Sequence, residues 1–134
     1  MRTFVKLTFL AFLFFATSAT TVSAQETEYG KASYYSDSFQ GSTTASGATY
    51  DKSKMTGAHK TLPFGTRVRV TRLDNKKSVV VTINDRGPFI KGRIVEVSSA
   101  AAKKIGLTID GVTEVTLDVL EKGGKAITLS LIHI

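Results

Sequence analysis

Val81-Thr82-Ile83-Asn84-Asp85-Arg86-Gly87-Pro88-Phe89 joins an alternating strand, a carboxylate, a guanidinium and a Gly-Pro turn in one short stretch. Val79, Val81 and Ile83 alternate with Val80, Thr82 and Asn84, so one face of the strand can be sealed in a barrel interior. Pro88 has no N–H for a ladder and Gly87 tolerates unusual φ, so pairing must stop at Asp85 or Arg86. A carboxylate at a strand end is held more rigidly than one on a long loop, and it can face a cleft. The same residues also make an ordinary turn, because Asn and Asp before Gly-Pro often bond only their own backbone.

Working outward, the segments on either side also read as short strands. Thr66 to Leu73 alternates Val68 and Val70 against Arg67, Arg69 and Thr71. Asp74-Asn75-Lys76-Lys77 then turns the chain into Ser78 to Asn84, which predicts a hairpin. Lys31 to Tyr35 predicts a first strand, Ser36 to Thr43 a polar loop, Ile94 to Val97 another strand, and Val115, Leu117 and Val119 a last one. Ser98 is placed to cap a helix from Ser99 to Ile105 and Gly106 to end it, with Lys103 and Lys104 favouring its C-terminal dipole. Short strands around one small helix favour a closed barrel, which leaves no exposed sheet edge.

The two ends read differently from the middle. Arg2 and Lys6 precede an apolar run from Leu7 to about Ala16, and Val22-Ser23-Ala24 has the small-x-small form of a signal peptidase site. Residues 1–24 are thus expected to be a secretory signal, since the apolar run falls short of the roughly 20 residues that span a bilayer. Leu129-Ser130-Leu131-Ile132-His133-Ile134 follows a Gly123-Gly124 linker and breaks the preceding pattern. These six residues match a translated sequencing-library adaptor and are expected to be a non-native tail, so His133 is set aside; the alternative is a short terminal strand.

Residues 25–128 provide enough chain for one domain with a modest core. Without Arg2 and Lys6, 16 basic residues stand against 11 acidic ones, a net charge of +5. A moderately basic exported barrel suits an anionic polymer such as cell wall, and it suits solubility equally. Nucleic acid is a poor partner, because the basic residues are scattered and an export signal precedes them. There are no cysteines and no metal-ligand cluster, so no disulfide, lipid-modified cysteine, zinc site or cofactor is expected.

Five blocks occur in order: Gly30-Lys31-Ala32-Ser33-Tyr34-Tyr35; Thr44-Ala45-Ser46-Gly47; Ala58-His59-Lys60-Thr61-Leu62-Pro63-Phe64-Gly65-Thr66-Arg67-Val68-Arg69-Val70; Ile83 to Phe89; and Gly92-Arg93-Ile94-Val95 followed by Ser98-Ser99-Ala100-Ala101-Ala102. Together they resemble the rare lipoprotein A (RlpA) family from about Gly30 to Leu120. The resemblance implies a double-psi β-barrel acting as a septal lytic transglycosylase on peptidoglycan. Similar barrels occur in expansins, barwin-like proteins and some endoglucanases, so fold alone does not decide function. The expected fold is mainly β: a six-stranded double-psi β-barrel with one short helix, the crossing itself being implied by the resemblance. The expected partner is the peptidoglycan glycan strand, bound by an exported, soluble, monomeric protein with no membrane anchor, in the periplasm or outside the cell.

Cleaving a glycosidic bond needs a proton on the leaving oxygen, and ordinary hydrolases add a second carboxylate as nucleophile or base. Lytic transglycosylation needs less, because the C6 hydroxyl of muramic acid attacks the anomeric carbon itself and one carboxyl can serve as acid and then base. Asp85 is the candidate acid/base, a role that calls for a carboxyl which holds its proton. Arg86 is either a substrate contact or a structural group bonding carbonyls. His59 lies in a block that the resemblance puts beside the cleft, where it could bond the acid or a sugar hydroxyl; as a lone His it could equally be a packing residue. Tyr34 and Tyr35 alternate, so one should face the interior and the other, taken as Tyr35, could stack on a sugar. Ser46 and Gly47 fall in a loop expected to line the groove. Close family members usually carry Glu directly after this Ser/Asn-Gly step, and here Ala48 stands there. Asp85 is then the only acid matched to the family, which leaves a non-catalytic, expansin-like glycan binder as the alternative and makes an ordinary hydrolase a weaker one.

Overall fold

A computed structural model describes residues 26–123; the segment 1–24, expected to be a secretory signal, and the tail 129–134, expected to be non-native, lie outside the described residues. The chain order is β1 (Thr27–Tyr34), a 3-10 turn (Asp37–Phe39), β2 (Thr56–Ala58), β3 (Arg67–Arg72), β4 (Ser78–Asp85), β5 (Arg93–Val97), α1 (Ser99–Lys104), α2 (Leu107–Asp110) and β6 (Thr113–Glu121). The six strands close into a barrel in the order β1-β5-β2-β4-β3-β6. β1 with β5 and β2 with β4 run parallel, while the remaining neighbours are antiparallel. Closure pairs every strand on both sides.

The alternation read from the sequence fills the barrel. Val68 and Val70 of β3, Val81 and Ile83 of β4, Val95 and Val97 of β5, and Val115 and Leu117 of β6 are all nearly or wholly buried in one cluster. Ala101, Ala102, Ile105 and Leu107 bring the helical segment into the same cluster. Arg72, at the end of β3, ties this segment down: its guanidinium donates to the Ile105 carbonyl at 3.1 Å and to Asp74 and Asp110 at 2.7 and 2.8 Å.

Three elements differ from the sequence expectation. β1 starts at Thr27, four residues earlier than expected, because Thr27 through Ala32 pair with β6 from Asp118 to Thr113. A second helical turn, α2, follows the expected one: Gly106 at φ 72° ends α1 in the left-handed conformation, and the chain then turns again around buried Leu107. β2 was not legible as a strand at all, being three residues long with Gly57 at its centre.

β2 is nevertheless what shapes the cleft, because it lies between β4 and β5. Along β4, Gly57 pairs with Ile83 and Ala58 with Asp85, so Asn84 is an extra residue in the register. Without that shift the alternation of Val79, Val81 and Ile83 would carry Asp85 into the core. The bulge instead re-aims it to the outer face of the barrel. β4 stops there, and the chain passes through Gly87 at φ 122° and a cis peptide to Pro88.

Candidate active site

Asp85 sits in a cleft of about 360 Å³, within the roughly 300–1,000 Å³ of small-molecule sites. Three donors converge on its carboxylate. The Tyr35 hydroxyl donates to Oδ2 at 2.5 Å. The backbone N–H groups of Ala45 and Arg86 donate to Oδ1 at 2.8 and 2.9 Å. Two of these donors come from segments far away in sequence, so the turn reading of Asp85 accounts for the Arg86 contact alone.

Tyr35 forms the floor. Its ring stacks on Tyr50 with centroids 4.5 Å apart and meets Phe39 edge-on at 6.0 Å. It is only 8% exposed, so it holds the acid rather than offering an open face to a sugar. Burial first, and then the bond to Asp85, raise the phenol's pKa well above its ordinary value, so Tyr35 stays a donor. Tyr50, 1% exposed, accepts a hydrogen bond from the Ser99 N–H at 3.1 Å and thereby fixes the floor to the start of α1.

The loop around Ser46 and Gly47 comes to the acid, but through its backbone. The Ser46 hydroxyl bonds Thr44 Oγ1 at 3.0 Å and accepts from the Ala48 N–H, while the Ser46 N–H donates to the Asn84 carbonyl. Gly47 takes φ 92°, which permits the tight turn that brings the Ala45 N–H to Asp85. Ala48 is exposed on this turn.

Neither the His59 nor the Arg86 side chain bonds the Asp85 carboxylate; each is held by other partners. The His59 ring turns away from the Asp85 carboxylate, and only its backbone N–H reaches Asp85, at the carbonyl oxygen. Its Nδ1 accepts from the N–H groups of Thr61 and Leu62, both at 3.1 Å, which leaves Nε2 to donate to Glu28 at 2.8 Å. Glu28 is on β1, which the sequence reading started too late to include. Arg86 Nη1 donates to the carbonyls of Leu62 and His59 at 2.8 and 3.3 Å, and its guanidinium lies 4.0 Å over the Phe64 ring. These carbonyl bonds are those of the structural alternative for Arg86, which also lines the cleft, and both residues brace the 59–64 loop.

Two features went unread in the sequence. Glu96 lines the same cleft, half-buried on the outer face of β5. Burial raises its pKa above the ordinary carboxylate value; Arg93 opposes the rise and the charge of Asp85 adds to it. The available signal was the alternation of Val95 and Val97, which turns Glu96 outward just before the helix cap. The second feature is an apolar rim: Phe89 is 81% exposed, and Phe39 and Ile90 are about half exposed. Among the described residues no group of three or more His, Cys, Asp or Glu side chains is gathered to hold a metal.

A closed six-stranded barrel with two parallel strand pairs and an acid at the bulged end of β4 defines the class: a double-psi β-barrel with an acid-bearing cleft. The family of such barrels described as "Lytic transglycolase" matches residues 27–117, and the chain belongs to that family. It is 52% identical over 94 residues to the endolytic peptidoglycan transglycosylase RlpA of Vibrio cholerae, covering 70% of this chain and 36% of that one. It is 53% identical over 89 residues to the protein of the same name from Pseudomonas aeruginosa, covering 66% of this chain and 26% of that one. The chain thus spans about a third or less of the length of these relatives. Among solved structures, the Streptomyces papain inhibitor superposes with a TM-score of 0.58 at 24% identity, over 72% of this chain and 96% of that one, a likeness of fold alone.

Proposed function

We propose that this chain is an endolytic peptidoglycan lytic transglycosylase, cleaving MurNAc-GlcNAc bonds within glycan strands to leave 1,6-anhydro-muramyl ends. The observation that carries the reading is Asp85, turned out of the core by the β4 bulge and gripped by Tyr35 and two backbone amides inside a cleft. The substrate class is supported by the relatives, both named as peptidoglycan transglycosylases. The protein works as a monomer on the cell wall after export by its leader. No helix among the described residues is long and apolar enough to cross a membrane.

In the reaction, the glycosidic C1–O bond breaks with its electron pair going to the leaving oxygen, which takes up a proton. The muramic C6 oxygen closes on C1 and releases its own proton. Asp85 handles protons at this centre, and the rigid grip of its neighbours keeps its position fixed during bond exchange. Mass spectrometry of glycan strands stripped of stem peptides tests the reading. Anhydro-muramyl ends are expected; reducing ends would make the chain a hydrolase, and binding without products an expansin-like binder.

Ala48 favours that last alternative to a testable degree, since it removes the carboxylate usual in the family. Ala48→Glu on this exposed turn should raise the yield of anhydro ends without shifting the melting temperature. An unchanged rate with unchanged binding would deny that carboxylate a role. Phe89 offers an open ring beside the acid, fit to stack on the apolar face of a sugar. Phe89→Ala should weaken binding of glycan strands roughly 2- to 10-fold, the range expected for one lost aromatic contact. Calorimetric titration with the inactive Asp85→Asn variant gives that number free of turnover.

A further inference from the structure

The register places four side chains in one row on the outer face of the barrel. Ser33 of β1 pairs with Glu96 of β5, Glu96 with Ala58 of β2, and Ala58 with Asp85 of β4. Neighbouring strands lie ~4.8 Å apart, so the Cα atoms of Asp85 and Glu96 stand about 10 Å apart on either side of Ala58. Only the methyl of Ala58 lies between them, and all three residues line the cleft. Asp85 was the only acid that the family motifs picked out, but the cleft holds two.

The two carboxyls are held differently. A carboxylate has about four acceptor positions, and at Asp85 three are filled: two on Oδ1 by amides and one on Oδ2 by Tyr35. What remains is one lone-pair position on Oδ2. At Glu96, no hydrogen bond to the carboxyl is made among the described residues. The hydroxyl of Ser33, its register partner, is buried and likewise makes none. Asp85 is therefore fitted to accept, from a fixed position, while the Glu96 carboxyl is free to meet a ligand as a donor.

We propose that Glu96 is the second catalytic carboxyl of this cleft, giving its proton to the leaving glycosidic oxygen while Asp85 accepts the proton of the attacking C6 hydroxyl. The assignment rests on the lytic transglycosylase reading above. As the C1–O bond breaks, its electron pair stays on the leaving oxygen and the Glu96 proton joins it. As the C6–O–C1 bond forms, the hydroxyl proton passes to the free position on Asp85 Oδ2. The step ends with Glu96 ionised and Asp85 protonated, and exchange with water restores both. The charge state of Glu96 follows its surroundings. Burial and Asp85 keep it protonated to higher pH than a free Glu, Arg93 on its own strand opposes this, Tyr35 faces it from the end of β1 as a neutral phenol, and β2 presents only Ala58.

The test uses the full chain and two substrates: glycan strands stripped of stem peptides, and a p-nitrophenyl glycoside of N-acetylmuramic acid, whose leaving group departs without a proton. Glu96→Gln should lower anhydro-end formation on strands by about 10²- to 10⁴-fold and leave release of p-nitrophenol close to wild type. Asp85→Asn should fall on both substrates. The wild-type rate on strands should decline as pH rises through the ionisation of Glu96, and the residual rate of Glu96→Gln should lack that decline. Wild-type cleavage of strands by Glu96→Gln overturns the proposal, and so does an equal loss on both substrates, which marks a positioning role. If the Gln variant does not fold, Glu96→Ala, which also lacks the transferable proton, must show the same split between substrates, and its absence overturns the proposal too. These outcomes leave the reaction class standing; a wild-type chain that makes no anhydro product from strands removes the reaction class and this assignment together.

Discussion

Asp85→Asn should abolish most glycan cleavage while leaving the fold intact. The amide keeps the shape of the carboxylate but neither takes up nor gives a proton at this position. General acid/base catalysis contributes roughly 10²- to 10⁴-fold, so the rate of anhydro-end formation should drop by at least about the lower figure. A further loss comes from geometry. An Asn in this site presents one oxygen and one NH2, whereas the three surrounding groups are all donors. With the oxygen kept on the two backbone amides, the NH2 faces the Tyr35 hydroxyl, which must turn from donor to acceptor and loses the partner of its own O–H. That mismatch should lower the melting temperature modestly without unfolding a barrel whose core lies on the other face of β4. Strand binding should persist, because the apolar rim of Phe39, Phe89 and Ile90 is untouched. Wild-type cleavage by a folded Asp85→Asn protein would reduce Asp85 to a turn residue.

How much of this arrangement was legible in the sequence depends on whether the signal was periodic. The alternation of Val79, Val81 and Ile83, and of Val115 and Leu117, encodes burial of one strand face, and those residues form the core. The end of β4 was also readable, since Pro88 admits no other outcome. The bulge was not, because an extra residue in a register is a property of two strands and leaves no mark on either alone. Extending the alternation beyond Ile83 would have put Asp85 inside. β2 escaped because three residues carry too little pattern, and with it went the juxtaposition of Asp85 and Glu96 that only an intervening strand creates. The His59–Glu28 pair joins residues 31 positions apart, and nothing local foretells it. Resemblance put His59 beside the cleft, while its ring bonds Glu28 and lines a separate hollow with Thr61 and Leu62.

Arg86→Ala should lower stability substantially, and it separates the two roles open to this residue. The guanidinium spans from the end of β4 to the 59–64 loop, donating to the Leu62 and His59 carbonyls and covering the Phe64 ring. A hydrogen bond from a charged donor is worth about 1.5–3 kcal/mol, the longer contact to His59 less, and a cation–π contact at a partly exposed site about 0.5–1 kcal/mol. Discounting for the partial exposure of Arg86, about 2–3 kcal/mol should be lost. In a domain of this size that is a fall of roughly 10–20 °C in melting temperature. Arg86→Lys should recover little, because an ammonium does not reproduce a guanidinium that both covers Phe64 and bonds two carbonyls. Once the loop loosens, cleavage should decline mainly through kcat, since the Arg86 backbone amide that supports Asp85 rides on the same turn. An unaltered melting temperature with a raised KM would instead make Arg86 a substrate contact, and the brace between β4 and the 59–64 loop would carry no weight.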